Sequence, residues 1–258
     1  MVKAVILAAG QGTRLRPLTN DRPKCMVELQ GKPLIDHQLE VLRHAGITDL
    51  HVVAGYLADR LDRPGVTKHL NANYATTNMV HTLFCAAGLL TGDTDLVISY
   101  GDIVYEARVL EALLACDAPL CLAVDLEWHA YWQSRMPDPL ADAETLKLVE
   151  GDRVVELGRK PRSLADIQGQ YMGLIKLRAD HVDRFHAAWR ALDPEALYDG
   201  RTPPNMFMTS FLQHLIDQGW EVRAAFTRNG WLEVDAPEDL ALDTGAFWRP
   251  HGAADPDR

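Results

Sequence analysis

The chain has 258 residues, 47% of them hydrophobic and 24% charged, with a mean hydropathy of -0.14. That composition excludes disordered and collagen-like classes and allows a real core without disulfides or a structural metal. Its 26 basic and 36 acidic residues leave a net charge of -10, which excludes general nucleic-acid binding. Any phosphate handled here must be held by a few local cations. Cys25, Cys85, Cys116 and Cys121 form no C-x-x-C pair and no zinc set, so they are expected as buried thiols. The apolar run over residues 4–9 is too short for a membrane span, and no signal-peptide cleavage pattern follows it. The expectation is a reduced, cytoplasmic protein without a membrane partner.

In chain order, residues 2–7 read as a strand buried on both faces, followed by a Gly- and Pro-containing loop through Lys24. A helix is predicted over 33–44, with Gly46 at its stop, and a strand over 50–54. Residues 78–90 predict a helix, 96–99 a strand ending at Gly101-Asp102, 107–116 a helix and 119–124 a strand. The second half changes character: 145–149 and 153–157 alternate around Gly151-Asp152 as a hairpin, and 171–177 gives another strand. Helical stretches over 179–192 and 206–218 and a strand over 221–226 complete the pattern. This predicts an α/β fold with three α/β/α layers, a mixed, mostly parallel, Rossmann-like sheet and a smaller second lobe. It reads as a single domain in two halves, residues 1–125 and 126–245, with 246–258 as a tail.

The most informative segment is Leu7-Ala8-Ala9-Gly10-Gln11-Gly12-Thr13-Arg14-Leu15. Leu15 stands where the dinucleotide motif needs a third glycine, and the P-loop's Gly-Lys-Ser/Thr is missing. What remains is a loop of small residues that lets backbone N–H groups approach a phosphate chain, with Arg14 and Lys24 as its cations. A tight turn carrying solvated charges is the alternative.

The full string, L-A-A-G-x-G-T-R-L-x-P-L-T, then P-K at Pro23-Lys24, then G-K-P-L-I-D from Gly31 to Asp36, resembles the sugar-phosphate nucleotidyltransferase superfamily. Gly101-Asp102, Gly158-Arg159-Lys160-Pro161 and Glu233-Val234-Asp235 fall where that family's later landmarks stand. The resemblance implies attack of a phosphate oxygen on the α-phosphorus of a nucleoside triphosphate, with pyrophosphate released, and makes residues 1–125 the nucleotide-binding half and 126–245, with the smaller lobe, the acceptor-binding half. Arg14 is then expected on the β- and γ-phosphates, and Lys24 on the α-phosphate and the incoming phosphate. Asp102 and Asp235 become the ligands of Mg²⁺, with Glu233 a weaker candidate. Leu7, Ala8, Ala9, Gly10, Gly12, Thr13 and Asn78 complete the expected nucleotide site. For Asp235, capping the helix that starts near Pro237, with Glu238 as reciprocal partner, is a further role.

Asn73 to Val80 is similar to the Asn-rich segment of the phosphocholine cytidylyltransferase branch, which implies CTP and a non-sugar phosphate or phosphonate acceptor. Asn78 is either a reader of the pyrimidine or a helix N-cap. Trp128, His129, Tyr131 and Trp132, beside Asp125 and Glu127, suggest a cage for an alkylammonium group. Arg135 suggests a carboxylate partner, and a lid or homodimer surface is the alternative for the whole cluster. Lys160, by the K-P resemblance, is expected on the acceptor phosphate. Tyr171 and Gly173 are expected to line the acceptor pocket from one strand face, with Met172 toward the core. Three readings result: a cytidylyltransferase, a sugar-1-phosphate nucleotidyltransferase using UTP, dTTP or GTP, and a non-catalytic nucleotide-binding regulatory relative.

Overall fold

The apolar N-terminal run becomes strand β1 (Val2–Ala8), nearly all of it buried as a central strand requires. The computed structural model describes residues 2–252. After β1 come two short strands, β2 (Glu28–Leu29) and β3 (Lys32–Pro33), then α1 (Leu34–His44), β4 (Asp49–Ala54), β5 (Val66–Leu70) and α2 (Met79–Phe84). Next are β6 (Asp95–Tyr100), β7 (Ile103–Tyr105), α3 (Ala107–Ala115), β8 (Leu120–Asp125) and α4 (Trp128–Arg135). The rest comprises β9 (Leu146–Val149), β10 (Arg153–Leu157), β11 (Gln170–Leu177), α5 (Val182–Arg190), α6 (Met208–Asp217), β12 (Val222–Thr227) and β13 (Trp231–Glu233).

Among the described residues, one 9-stranded sheet runs in the order β5-β4-β1-β6-β11-β8-β12-β10-β9. The pairs β5–β4, β4–β1, β1–β6 and β8–β12 are parallel, whereas β11 and β10 are antiparallel to both of their neighbours. Every strand of the sheet except β10 and β11 therefore points the same way, which is the mixed, mostly parallel sheet expected. Side chains of β1 alternate between faces. Ala4, Ile6 and Ala8 join one core with α1, α3 and α4, while Val5 and Leu7 join another with α2, α5 and α6. Helices thus cover both faces in three layers.

The helix predicted over 78–90 is shorter than expected. It ends at Phe84, Ala86 leaves helical geometry, and the chain resumes as a 3-10 turn at Ala87–Leu89 around the poor helix former Gly88. Strand β5 and the β7–β13 ribbon were not predicted, because β5 is a polar edge strand and the ribbon strands are too short for periodicity. Cys116 and Cys121 are not the free thiols expected. The turn from α3 into β8 sets their Cα atoms 6.3 Å apart, and they form a disulfide. Cys25 and Cys85 are free. Among the described residues, no helix is long and apolar enough to cross a membrane.

Candidate active site

The chain leaves β1 at Ala8 and turns through Gly10 and Gly12 into a 3-10 turn at Thr13–Leu15, which the buried Leu15 pins to the core. Gly12 has φ +60, and a Cβ there would stand 3.0 Å from Lys24 Cβ and Cγ. Glycine at this position lets the lysine stem cross beneath the loop. Nothing lies within 4 Å of a Cβ placed on Gly10, so that part of the loop is open. Leu7, Ala8, Ala9 and Gly10 line a cavity of about 110 Å³ together with Lys24, Asn78, Gly101 and Asp102. It lies outside the carboxyl ends of β1 and β6, where parallel sheets collect ligands. Gly12 and Thr13 shape the loop without lining this cavity.

Two acids converge on Lys24 at its edge. Gly101 N–H donates to Leu7 O at 3.0 Å, and a Cβ at Gly101 would stand 2.7 Å from that oxygen, so this close approach of the strand ends requires glycine. The approach sets Asp102 beside the loop. The β7–β13 ribbon delivers the second acid: Glu233 pairs with Ile103, and Val234 N–H donates to Asp102 O at 2.9 Å. Lys24 Nζ donates to Asp102 Oδ2 at 2.7 Å and also to Asp235 Oδ1. Arg14 Nη2 lies 3.1 Å from Asp235 Oδ2 while its side chain stays 67% exposed, free to turn toward an anion. Burial opposes the charge on Lys24, but Asp102 and then Asp235 outweigh it and hold the ammonium above its ordinary range. Burial likewise works against the Asp235 carboxylate, and Lys24 overcomes it, drawing that carboxyl below its usual range.

Two carboxylates gathered on one cation, beside open cavity, fit Mg²⁺, which takes few protein oxygens and keeps water and substrate oxygens. Asp102 and Asp235 would hold it. Glu233 is engaged elsewhere, on Arg135. Asp235 does not cap the following turn with Glu238, as its alternative role required. Asp239 does so, its Oδ2 accepting from Asp235 N at 2.7 Å and from Ala236 N at 2.9 Å, which leaves the Asp235 carboxylate to Lys24 and Arg14.

Asn78 takes the N-cap role: its Oδ1 accepts from Met79 N at 2.8 Å, and its Nδ2 lies 3.4 Å from Asn205 O. Tyr74, Thr77 and Thr82 also line the cavity here. The buried Asn71 holds the two threonines, its Nδ2 donating to Thr77 Oγ1 and Thr82 Oγ1 at 3.0 Å each. Tyr74 and Thr77 fall within the Asn-rich segment 73–80, whereas no motif marks Asn71 or Thr82.

A second cavity, of about 210 Å³, shares Met79 with the first and is bounded by Asp235, Glu233, Tyr100, Trp132, Glu144, Gln170, Tyr171 and Gly173. Lys24 and Asp102 line the first cavity and Asp235 the second, so the bridge between these residues stands where the two meet. Gly173 has φ +78, and a Cβ there would stand 2.5 Å from the Tyr100 ring. The register of β11 against β8 shifts between Tyr171 and Ile175, so the simple alternation expected over 171–173 is lost. Met172 is in the core and also borders the cavity.

The acceptor cage is corrected. Helix α4 packs Trp128, Tyr131 and Trp132 into the core, at 4%, 1% and 2% exposure; Trp132 is in ring contact with the other two, and Tyr131 and Trp132 with Trp231. Of these only Trp132 reaches the cavity. Asp125 accepts from Trp231 Nε1 at 3.0 Å, and Glu127 pairs with Arg228 at 2.8 Å, so neither faces a ligand. The Arg135 side chain, 4% exposed, is taken up by Glu233 and Asp239, as a buried guanidinium must be. It positions the turn that carries Asp235 rather than meeting a substrate carboxylate. Lys160 is also displaced from its expected place: Nζ donates to Leu140 O and Ala141 O, outside both cavities. Glu144 was missed. Burial, then Asp142 and Asp199, push its carboxyl up to about 7 against a hydrogen bond from Thr209.

Residues 4–155 match the family model of the MobA-like NTP transferase domain. The chain is 41% identical to the CTP:phosphoglutamine cytidylyltransferase of Campylobacter jejuni, over 93% of this chain and 98% of that protein. Among solved structures, it is similar to the CTP:phosphocholine cytidylyltransferase of Streptococcus pneumoniae, with TM-score 0.68 and 21% identity, covering 93% of this chain and 96% of the other. The inositol-1-phosphate CTP transferase of T. maritima matches with TM-score 0.73 and 19% identity, over 95% of this chain and 93% of that one. With the glycine loop, the paired acids and these matches in hand, the chain belongs to the nucleotidyltransferases of the MobA-like NTP transferase family, on the cytidylyltransferase branch.

Proposed function

We propose that this enzyme transfers CMP from CTP to a small phosphorylated, non-sugar acceptor, with Mg²⁺ bound by Asp102 and Asp235. The observation that carries the reading is the Lys24 ammonium bridging Asp102 and Asp235 where the loop cavity meets the second cavity. Residues 1–125 serve the nucleotide and 126–245 the acceptor, with 246–258 as a tail of which 253–258 lie outside the described residues. Dependence on CTP supports a cytoplasmic location for the reaction. The Campylobacter relative acts on phosphoglutamine and the pneumococcal one on phosphocholine. Both acceptors are small and bear a cationic nitrogen, which supports a non-sugar acceptor here.

An acceptor phosphate oxygen attacks the α-phosphorus. The new P–O bond forms as the bond to the α–β bridging oxygen breaks, and pyrophosphate leaves with that electron pair. The acceptor phosphate is already ionised at neutral pH, so no general base is needed. When bound, Mg²⁺ supplies neutralisation of phosphate charge. The open loop at Gly10 lets backbone approach the triphosphate. Arg14 turns from Asp235 to the β- and γ-phosphates and takes the charge of the leaving pyrophosphate. Lys24, a compact charge on a flexible stem, reaches both the α-phosphate and the attacking oxygen. Positioning two anions in line is the main task, and fixed cations perform it.

Pyrophosphate release with CTP, UTP, dTTP and GTP, each against phosphocholine, aminoalkyl phosphates, phosphoglutamine and hexose 1-phosphates, tests the proposal. CTP-dependent release with a non-sugar acceptor is expected. Release with a hexose 1-phosphate and none with the nitrogenous acceptors would overturn it in favour of a sugar nucleotide. Nucleotide binding without release under any pairing would leave a regulatory protein.

A further inference from the structure

The second cavity carries more acid than its part in the reaction explains. Asp142 and Glu144 line it in addition to Glu233 and Asp235, and among the described residues its walls hold no Lys, Arg or His. Asp142 and Glu144 belong to neither the metal pair nor the Arg135 network. Two further lining residues, Trp132 and Gln170, are 2% and 7% exposed, and each has a buried polar atom without a partner, Trp132 Nε1 and Gln170 Oε1. Buried polar groups are ordinarily satisfied, so a ligand with its own donors and acceptors is what this wall lacks.

Two kinds of nitrogen cation suit an acidic cavity, and they are recognised differently. A quaternary ammonium has no N–H and is held by open aromatic faces. Here those faces are taken by the protein itself. The Arg135 guanidinium lies over the Tyr131 and Trp132 rings at 5.4 and 5.3 Å, and that of Arg201 over Phe207 at 4.2 Å. Tyr100 and Tyr171 meet edge to face, and Gly173 is closed against the Tyr100 ring. Carboxylates and an amide oxygen, in contrast, accept N–H bonds.

We infer that the acceptor carries an ammonium group bearing N–H donors, and that Glu144, with Asp142 and Gln170 Oε1, receives them in this cavity. The inference rests on the reading above that a phosphorylated acceptor fills this cavity, and it narrows that acceptor's class. The phosphate lies at Lys24 and the Asp235 end, and the amine at Glu144. A primary amine satisfies the acidic wall, whereas N-methylation removes the donors and leaves the carboxylates unpaired.

Phosphoethanolamine and phosphocholine differ by three N-methyl groups and make the test pair, with wild type and Glu144→Gln. Wild type is expected to favour phosphoethanolamine in kcat/KM by about 10–100-fold, the value of one or two charge-assisted hydrogen bonds. Glu144→Gln should raise KM for phosphoethanolamine by a similar factor, with kcat little changed and KM for phosphocholine nearly constant. Equal or better use of phosphocholine by wild type would overturn the inference, as would an equal rise of both KM values in the variant. Should no acceptor be turned over with CTP, the cytidylyl-transfer reading falls. Titration calorimetry of the two amines onto the wild-type protein still decides the inference: tighter phosphoethanolamine supports it, and equal or weaker binding overturns it.

Discussion

The two cavities are built from different materials. The loop cavity is made largely of backbone and small side chains, set by glycines at 10, 12 and 101, and its strong charges are Lys24 and Asp102. The second cavity is made of side chains from α4, the β6 end, β11, the α6 start and the β13 end, several of them buried, together with the acids Asp142, Glu144, Glu233 and Asp235. A triphosphate is the same anion in every relative, so backbone suffices for it. An acceptor is told apart by side chains, and these must be held by packing and ion pairs. Substitutions on the open part of the loop, at Gly10, should therefore change turnover with little effect on stability, while those on the acceptor side should change stability and selectivity together.

The largest expected effect breaks the junction of the two. Asp102→Asn keeps the shape of the side chain but removes one of the two charges proposed for the metal, and kcat should fall by about 10³-fold or more. Its melting temperature should stay within a few degrees of wild type. Turnover and a thermal melt check both, and near-normal turnover would refute the metal role.

A pair of glycine substitutions separates the sides. Gly173→Ala forces a methyl group against the Tyr100 ring at φ +78. It should cost about 2–4 kcal/mol of stability, combining backbone strain with overpacking. At Gly10 a Cβ meets nothing within 4 Å. Gly10→Ala should leave stability within about 0.5 kcal/mol yet raise KM for CTP, because the methyl group stands in the phosphate's approach. Urea denaturation and steady-state kinetics on both variants test the contrast. Equal behaviour would erase the distinction between the cavities.

The same difference explains what was legible in the sequence. The loop side is written in contiguous residues, so Gly10, Arg14 and Lys24 stand out by type and spacing and the buried strands by their apolar runs, while Asp102 enters through the resemblance. The acceptor side is assembled from segments that meet only in three dimensions. Glu144 and Gln170 sit in ordinary polar surroundings along the chain. The aromatic run from Trp128 to Trp132 suggests a cage because its rings stand three or four residues apart beside Asp125 and Glu127. Only the packing of Trp231 and the pull of Glu233 and Asp239 on Arg135 turn those rings inward. The resemblance pairs Asp235 with Asp102, and the structure sets both on Lys24, yet the ribbon that brings Asp235 there is too short to be seen by periodicity.

Glu144 supplies a pH test of intermediate size. In the fold its carboxyl keeps its proton up to about pH 7, whereas in the unfolded chain it loses it near the ordinary 4.5. The folded state thus holds the extra proton across that window, and stability falls as pH rises through it. Glu144→Gln removes this loss. Without acceptor the variant should be more stable than wild type at pH 8 by about 1–3 kcal/mol, and the two should agree at pH 4. Denaturant melts at both pH values check it. A variant less stable than wild type at pH 8 would mean the carboxylate is needed by the fold itself.

The smallest expected effect concerns Lys160, which the sequence places on the acceptor phosphate and the structure places on the carbonyls of Leu140 and Ala141. Those carbonyls belong to the turn Pro139–Ala141, just ahead of Asp142 and Glu144. Lys160 therefore touches the acceptor only through the seating of that turn. Lys160→Met keeps the length of the stem and removes the ammonium. It should raise acceptor KM by about twofold, the scale of an exposed polar contact, and leave kcat and KM for CTP unchanged. A hundredfold loss of kcat/KM would return Lys160 to the phosphate. The acceptor's phosphate would then be gripped from the second half of the chain, and the division between a backbone-built nucleotide side and a side-chain-built acceptor side would no longer meet at Lys24.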